Sequence, residues 1–249
     1  MILEFDVGNS RIKWRQVDER QGSVMREGHV SAVNQLIAMH DSHCEPTMVR
    51  MCSVRAGDVN DRIRQWTGDT WGLEIQVAKV VRSCGGVSNQ YADLNKLGVD
   101  RWLAMLAAYA RATDFCVIVD AGTAVTVDVV DDRGSHLGGY ILPGLKLMSL
   151  SLQTNTQIKL SDETPEYFLA LGHSTDAAVR NGTLMALTSL IERVVQPISA
   201  QSAQARLFFC GGDAELLANN TNVADIEVIP GLVLDGLAIA CPYLPEDLE

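Results

Sequence analysis

Two short stretches of the sequence carry the residue types that handle phosphate. Asp6-Val7-Gly8-Asn9-Ser10 and Asp120-Ala121-Gly122-Thr123-Ala124 both read Asp-x-Gly followed by two small or polar residues, 114 positions apart. Glycine lets a backbone approach a phosphate closely, and turn N–H groups with Ser or Thr hydroxyls donate to its oxygens. An Asp at the preceding strand end can hold Mg2+ directly or through water, because that ion takes oxygen ligands and keeps several waters. One copy alone is an ordinary turn sequence. Two matching copies suit an ATP cleft between two lobes, which needs a pair of facing phosphate hairpins.

A third stretch, Leu97-Gly98-Val99-Asp100-Arg101, has two compatible readings. In one, Asp100 is the N-cap of the helix that follows and Gly98 shapes its entry. In the other, Asp100 is a general base for a substrate hydroxyl, with Arg101 gripping an anionic group on that substrate. Competing nucleotide motifs are absent: neither Gly-x-x-x-x-Gly-Lys-[Ser/Thr] nor Gly-x-Gly-x-x-Gly occurs. Gly172-His173-Ser174-Thr175-Asp176 fails the Gly-x-Ser-x-Gly nucleophile elbow at its last position. His40, His43 and Cys44 have a metal-like spacing with no fourth ligand nearby, which favours a polar loop before Pro46.

These groups must be positioned by strands and one helix. Residues 2–17 and 116–130 follow the same plan, an apolar strand, the Gly-containing bend and a second strand, and so read as two β-hairpins. The first continues through Asp18 to Gly22 toward a strand near 23–30; the second turns at Asp131–Gly134 into a strand from His136 to Leu142. Two such starts a domain length apart suggest a duplicated fold with two related lobes. Between them, 31–41 and 57–67 read as helices and 47–53 and 74–81 as strands. Residues 100–113 predict an amphipathic helix with Trp102, Leu103, Leu106, Tyr109 and Ala110 on one side. A long helix at 174–195, a strand at 206–210, a short helix after Gly212 and a last helix at 231–241 complete an α/β fold with mixed sheets.

Bulk composition narrows the function class. The chain has 249 residues, a formal charge of −11 and no dense Lys/Arg run, which argues against nucleic acid and anionic lipid as partners. No Cys-x-x-Cys pair supports a zinc knuckle or a redox dithiol. Cys116, Cys210 and Cys241 lie in apolar stretches and read as small buried hydrophobes. With no signal-peptide pattern and no membrane-length apolar run, the expectation is a reduced, cytoplasmic protein.

Four segments in this order and spacing then carry a resemblance: Asp6 to Ser10, Gly98 to Arg101, Asp120 to Ala124, and Gly138-Gly139-Tyr140-Ile141-Leu142-Pro143-Gly144. Together they resemble the type III pantothenate kinases, a branch of the acetate and sugar kinase/Hsc70/actin superfamily, over nearly the whole chain. The resemblance implies duplicated actin-like (ribonuclease H-like) α/β lobes with mixed sheets and an interlobe ATP cleft. The N-terminal lobe would span 1–114 and the C-terminal lobe 115–249, with the last helix packing back on the first lobe.

It also implies roles. Asp6, Val7, Gly8, Asn9, Ser10, Arg11, Ile12 and Lys13 would form the first phosphate loop for ATP, with Asp6 placing Mg2+. Asp100 would be the proton acceptor, and Gly98, Val99, Asp100 and Arg101 with Tyr91 would line the pantothenate pocket. Thr175 would contact substrate, Thr123 would touch ATP, and Asp120 would help bind a monovalent cation, K+ or NH4+. Gly211-Gly212-Asp213 resembles an adenosine-side glycine turn, an ordinary strand-to-helix loop being the alternative. Two positions depart from the family pattern: Ser10 stands where Thr is common, and Leu94 where Pro is frequent. The implied activity is ATP-dependent phosphorylation of pantothenate in a homodimer whose subunits share the substrate pocket, with the 174–195 helix as interface or as core. The alternatives are another small-metabolite kinase of the superfamily and a non-enzymatic regulatory relative. Intact Asp6, Asp100 and Asp120 speak against the last.

Overall fold

The computed structural model describes residues 1–39, 45–55, 57–112, 114–161, 164–200 and 205–243. His40, His43 and Cys44 fall outside them. The chain divides into two compact units, Met1–Ala110 with Gly231–Glu249, and Arg111–Pro230.

In the first unit, β1 (Ile2–Val7), β2 (Ile12–Val17), β3 (Val24–Val30), β4 (Met48–Ser53) and β5 (Ile75–Val77) form one sheet; α1 (Val33–Met39) and α2 (Asp58–Trp71) lie between its later strands in sequence. The order is β3-β2-β1-β4-β5, with antiparallel pairing from β1 to β3 and parallel pairing from β1 through β4 to β5. A small hairpin, β6 (Ser83–Cys84) and β7 (Val87–Ser88), and a 3-10 turn at Leu94–Lys96 lead into α3 (Val99–Ala112).

The second unit repeats this plan. Its strands β8 (Cys116–Ala121), β9 (Ala124–Val130), β10 (His136–Pro143), β11 (Arg206–Cys210) and β12 (Ile226–Val228) run in the order β10-β9-β8-β11-β12. Again an antiparallel meander is extended by two parallel strands. Helices α4 (Leu145–Asn155), α5 (Thr175–Ala200) and α6 (Ala214–Asn219) belong to this unit, whereas α7 (Leu232–Ala240) belongs to the first. β1 and β8 correspond residue for residue at the 114-position offset, so the echo in the sequence is a repeat in the sheets.

Strand alternation decides what each face presents. In β1, Leu3, Phe5 and Val7 join Ile12, Trp14, Val49, Met51 and Leu36 in one buried apolar cluster. Glu4 and Asp6 therefore point to the opposite face, with Arg50 and Cys52 of β4. On that face Glu4 is fully buried and bonded to both Arg15 and Arg50, and Arg15 also reaches Asp235 of α7 at 2.5 Å. Arg50 donates to the Cys241 carbonyl at 2.8 Å, so buried charge ties α7 to the sheet. In β8 the same alternation puts Val117, Val119 and Ala121 in the apolar core with Leu184, Leu187, Ile191 and Val195 of α5, and leaves Asp120 on the other face.

Several sequence expectations need correction. The 100–113 helix is not half-exposed: Arg101 to Ala108 are all buried, as for a helix enclosed on every side. The helix expected at 57–67 runs to Trp71, and Gly72 closes it in the left-handed conformation. The strand expected at 74–81 keeps only Ile75–Val77. β6, β7, α4 and β12 are not among the elements expected from the sequence. Among the described residues, no helix is long and apolar enough to cross a membrane.

Candidate active site

The first loop is held by its strands. Val7 and Ile12 are buried in the core and pair across the hairpin, and the Gly8 N–H donates to the Arg11 carbonyl at 3.0 Å. That leaves Asn9, Ser10 and Arg11 exposed at the tip. Asp6, only 8% exposed, sits opposite half-buried Lys13 in the β1–β2 register and opposite Cys52 in the β1–β4 register. A buried acid at a strand end, beside a loop of glycine and small polar residues, is the donor set that a phosphate-bound Mg2+ needs from the protein. Among the described residues no cluster of three or more His, Cys, Asp or Glu could hold a metal by itself. The nucleotide and water would therefore supply the remaining ligands, and Asp6 is the side chain that fits the ion.

Asp100 does not cap α3. The helix begins at Val99, the Trp102 N–H bonds to the Gly98 carbonyl, and Asp100 lies inside the first turn. Its Oδ1 accepts from the Arg101 N–H at 2.8 Å. A Cβ on Gly98 would stand 2.5 Å from this oxygen, so glycine is what lets the carboxylate lie back over the helix start. Burial, then the Asp6 and Asp100 carboxylates, push the Cys52 thiol well above its ordinary range. Asp6 stands directly opposite Cys52 in the β1–β4 register, on the face away from the Leu3, Phe5 and Val7 core. The Cys52 contribution was invisible in sequence, because it depends on the long-range parallel pairing of β1 with β4.

Arg101 is 5% exposed, and its Nη1 donates to the Tyr91 hydroxyl at 3.1 Å while the guanidinium lies 5.8 Å from the centre of the Tyr91 ring. Such a pair presents a hydroxyl, an aromatic face and a fixed positive charge together. Val99 and Gly98 are half-buried beside it. Tyr91 and the 98–101 segment thus meet as the sequence suggested.

In the second unit, the Gly122 N–H bonds to the Ala124 carbonyl, closing the β8–β9 turn one residue tighter than the first loop: Asp6 pairs with Lys13, whereas Asp120 pairs with Thr126. Thr123 is exposed at the tip. Gly144 packs directly on this turn: its N–H donates to the Thr123 carbonyl at 2.9 Å, and α4 starts from it. The positive end of an eleven-residue helix therefore stands beside Gly122 and Thr123, a placement that favours anionic oxygens. Gly211 lies against Ala121 and the Asp120 carboxylate, in a positive-φ conformation that favours glycine. The Asp213 N–H bonds to the Ala121 carbonyl, so the 211–213 turn also closes on this hairpin. Desolvation raises the Asp213 carboxyl above its usual range.

Thr175 is exposed at the first position of α5, where Ser174 caps the helix by accepting from the Ala177 N–H. The segment before it is pinned to α5: Asp176 accepts from the Ser161 N–H and hydroxyl, both at 2.8 Å, and Asn181 bonds to Phe168 and Ala170 backbone groups. These bonds to Ser161 hold the Asp176 carboxyl below its usual range. Thr175, Thr123 and Asp120 belong to the second unit, and residues 6–13, Tyr91 and 98–101 to the first.

Residues 2–197 match the family model described as type III pantothenate kinase. The type III pantothenate kinase of Pseudomonas fluorescens (strain SBW25) is 37% identical over 251 residues, covering 97% of this chain and 99% of that one. This chain belongs to the type III pantothenate kinase family. Solved structures agree on the fold. A Campylobacter jejuni protein described as a Baf family transcriptional activator superposes with a TM-score of 0.61 at 21% identity, over 94% of each chain. The ROK hexokinase of Thermus thermophilus gives 0.50 at 12% identity, over 95% of this chain and 96% of that one. For a type III pantothenate kinase, the duplicated mixed sheets are thus the actin-like kinase architecture that the motifs implied. In the sequence Gly144 is visible only as the end of the Gly138 to Gly144 motif. The Pro143-Gly144 pair ahead of an apolar run was the available signal for a helix start.

Proposed function

We propose that this chain transfers the γ-phosphoryl group of ATP to the primary hydroxyl of pantothenate, the first step of coenzyme A biosynthesis. The observation that carries the reading is Asp100 in the first turn of α3, next to the Arg101–Tyr91 pair, in a member of a kinase family of that name. Asp100 takes the proton as the substrate oxygen attacks the γ-phosphorus, and the bond to the ADP oxygen breaks in line. Arg101 and Tyr91 hold the substrate's anionic end, with Gly98 and Val99 lining the pocket and Thr175 adding a contact. Residues 6–13 and Thr123 bind the ATP phosphates, assisted by the start of α4. Asp6 would hold Mg2+, which supplies neutralisation of charge on the phosphoryl oxygens. Asp120 is the residue for a monovalent cation, K+ or NH4+. Because phosphoryl transfer rests on positioning and electrostatics, no covalent protein intermediate is required.

The protein acts in this reading as a cytoplasmic homodimer. In support, the second unit exposes Leu137, Tyr140 and Ile141 on edge strand β10 and Leu147 and Leu150 on α4, apolar surface that a second copy would cover. One face of α5 is committed to its own core, through Leu184, Leu187, Ile191 and Val195. Coupled ADP release with Mg-ATP and K+, comparing pantothenate with sugars and short acids, tests the assignment. Release with a different substrate moves the function to a sister kinase; light scattering that finds only a 27.1 kDa species removes the dimer.

A further inference from the structure

The segment between β6 and Tyr91 is held by bonds that the reaction itself does not use. The Asn89 N–H donates to the Arg82 carbonyl at 2.9 Å, extending the β6–β7 ladder by one step. Arg82 Nη1 donates to the carbonyls of Asn89 at 2.7 Å and of Tyr91 at 3.0 Å. Asn89 Oδ1 accepts from the Tyr91 N–H at 2.9 Å, an Asx turn in which a side chain replaces a backbone acceptor. Both main-chain polar groups of Tyr91 are thus engaged by these two residues, while its hydroxyl is engaged by Arg101.

Asn89 is 1% exposed, and its Nδ2 has no acceptor among the described residues. Burying an amide donor unsatisfied is unfavourable, so packing alone gives no reason for asparagine here. The acceptor half of the side chain does give one, because Oδ1 fixes the turn that delivers Tyr91. Arg82, by contrast, is exposed, and its bonds to two carbonyls are not part of a core. The turn itself rests on Gly85 and Gly86, both at positive φ and packed against Ile239 and Tyr109, so the hairpin is anchored and the clamp has a rigid base.

We infer that Asn89 and Arg82 are positioning residues that set Tyr91 against Arg101, and thereby set affinity for the acceptor substrate without touching it. The inference rests on the assignment of Tyr91 and Arg101 to the pantothenate pocket. Loss of the clamp frees the Tyr91 backbone and lets its ring leave the guanidinium. Substrate affinity falls, while ATP binding and the base, which depend on other elements, stay.

The test is a kinetic cycle. Asn89→Ala and Arg82→Ala are each expected to raise KM for pantothenate by about tenfold or more, with KM for ATP within twofold and kcat reduced less than KM rises. The same substitutions made in a Tyr91→Ala background are expected to have no further effect on that KM, since residues acting through one group are not additive. Hydrogen exchange at the Tyr91 amide, which needs no activity, is expected to accelerate at least tenfold in Asn89→Ala. Arg82, being exposed, keeps the test valid if Asn89→Ala folds poorly. Unchanged KM in Arg82→Ala with unchanged Tyr91 exchange, or full additivity with Tyr91→Ala, overturns the inference. A wild-type protein without pantothenate-dependent turnover overturns the functional reading instead, while the exchange measurement still judges the clamp.

Discussion

Replacing Gly144 by Ala puts one methyl group against the second phosphate hairpin and changes nothing else. The residue has φ −71° and ψ 172°, which alanine adopts freely, so no backbone strain enters. The added Cβ would overlap the Gly122 carbonyl oxygen and lie 2.9 Å from that of Thr123, inside the separation that real Cβ atoms keep. Both obstacles are backbone, so no side chain can swing aside. Either the hairpin or the start of α4 must shift, by on the order of 1 Å, and a misplacement of that size costs roughly a hundredfold in turnover. Overpacking of this kind costs about 1–3 kcal/mol of stability, which for a chain of 249 residues lowers Tm by several degrees. The assay is kcat/KM for ATP beside a thermal melt, with Gly182→Ala as control. Gly182 lies within α5 with no neighbour near its Cβ direction, so alanine there is expected to stabilise by about 0.5–1 kcal/mol. Gly144→Ala with kcat/KM for ATP within threefold of wild type and an unchanged Tm would refute the reasoning.

Two further predictions concern charge. Among the described residues, Glu4→Ala leaves buried Arg15 with Asp235 alone and buried Arg50 with no carboxylate, only the Cys241 carbonyl, and removing one partner of a buried network costs about 3–5 kcal/mol. Urea unfolding should register that loss; a change below about 1 kcal/mol would show the network to be dispensable. Asp213 is raised above its usual range by desolvation, so its contribution to stability is full below the unfolded carboxyl pKa and is lost as pH rises through the folded one. The Tm advantage of Asp213→Asn should accordingly grow as pH climbs from about 4 toward neutrality. It stays small because the group is half-exposed. An advantage that shrinks with rising pH contradicts the assignment.

The sequence declared the repeated strand-turn-strand starts because an apolar central strand ended by Asp-x-Gly leaves a local mark. β1 and β8 follow it to the residue, and the sheets they centre have the same order. The meeting of Tyr91 with Arg101 was legible too, but only through resemblance, since nothing local ties a loop residue to a helix ten positions on. Cys52 opposite Asp6 was not legible: parallel pairing of β1 with β4 has no signature in either strand. Helix α4 escaped because Leu147, Leu150 and Leu152 remain exposed, which blurs the apolar stripe that marks a helix packed on its own core. The β6–β7 hairpin escaped because two-residue strands are too short to show alternation, although Gly85-Gly86 is a recognised turn pair. The tight and loose forms of the two phosphate turns differ by one residue, a difference that only the register reveals.

The measurement closest to the central claim follows phosphate from ATP onto pantothenate by mass, in wild type and in Asp100→Asn, with ATP affinity determined on both. A general base contributes about 10²–10⁴ in rate. Wild type is therefore expected to form phosphopantothenate, and Asp100→Asn to form it at least a hundredfold more slowly with ATP bound as before. Near-normal turnover in Asp100→Asn, or ATP bound without any transfer by wild type, would contradict the account.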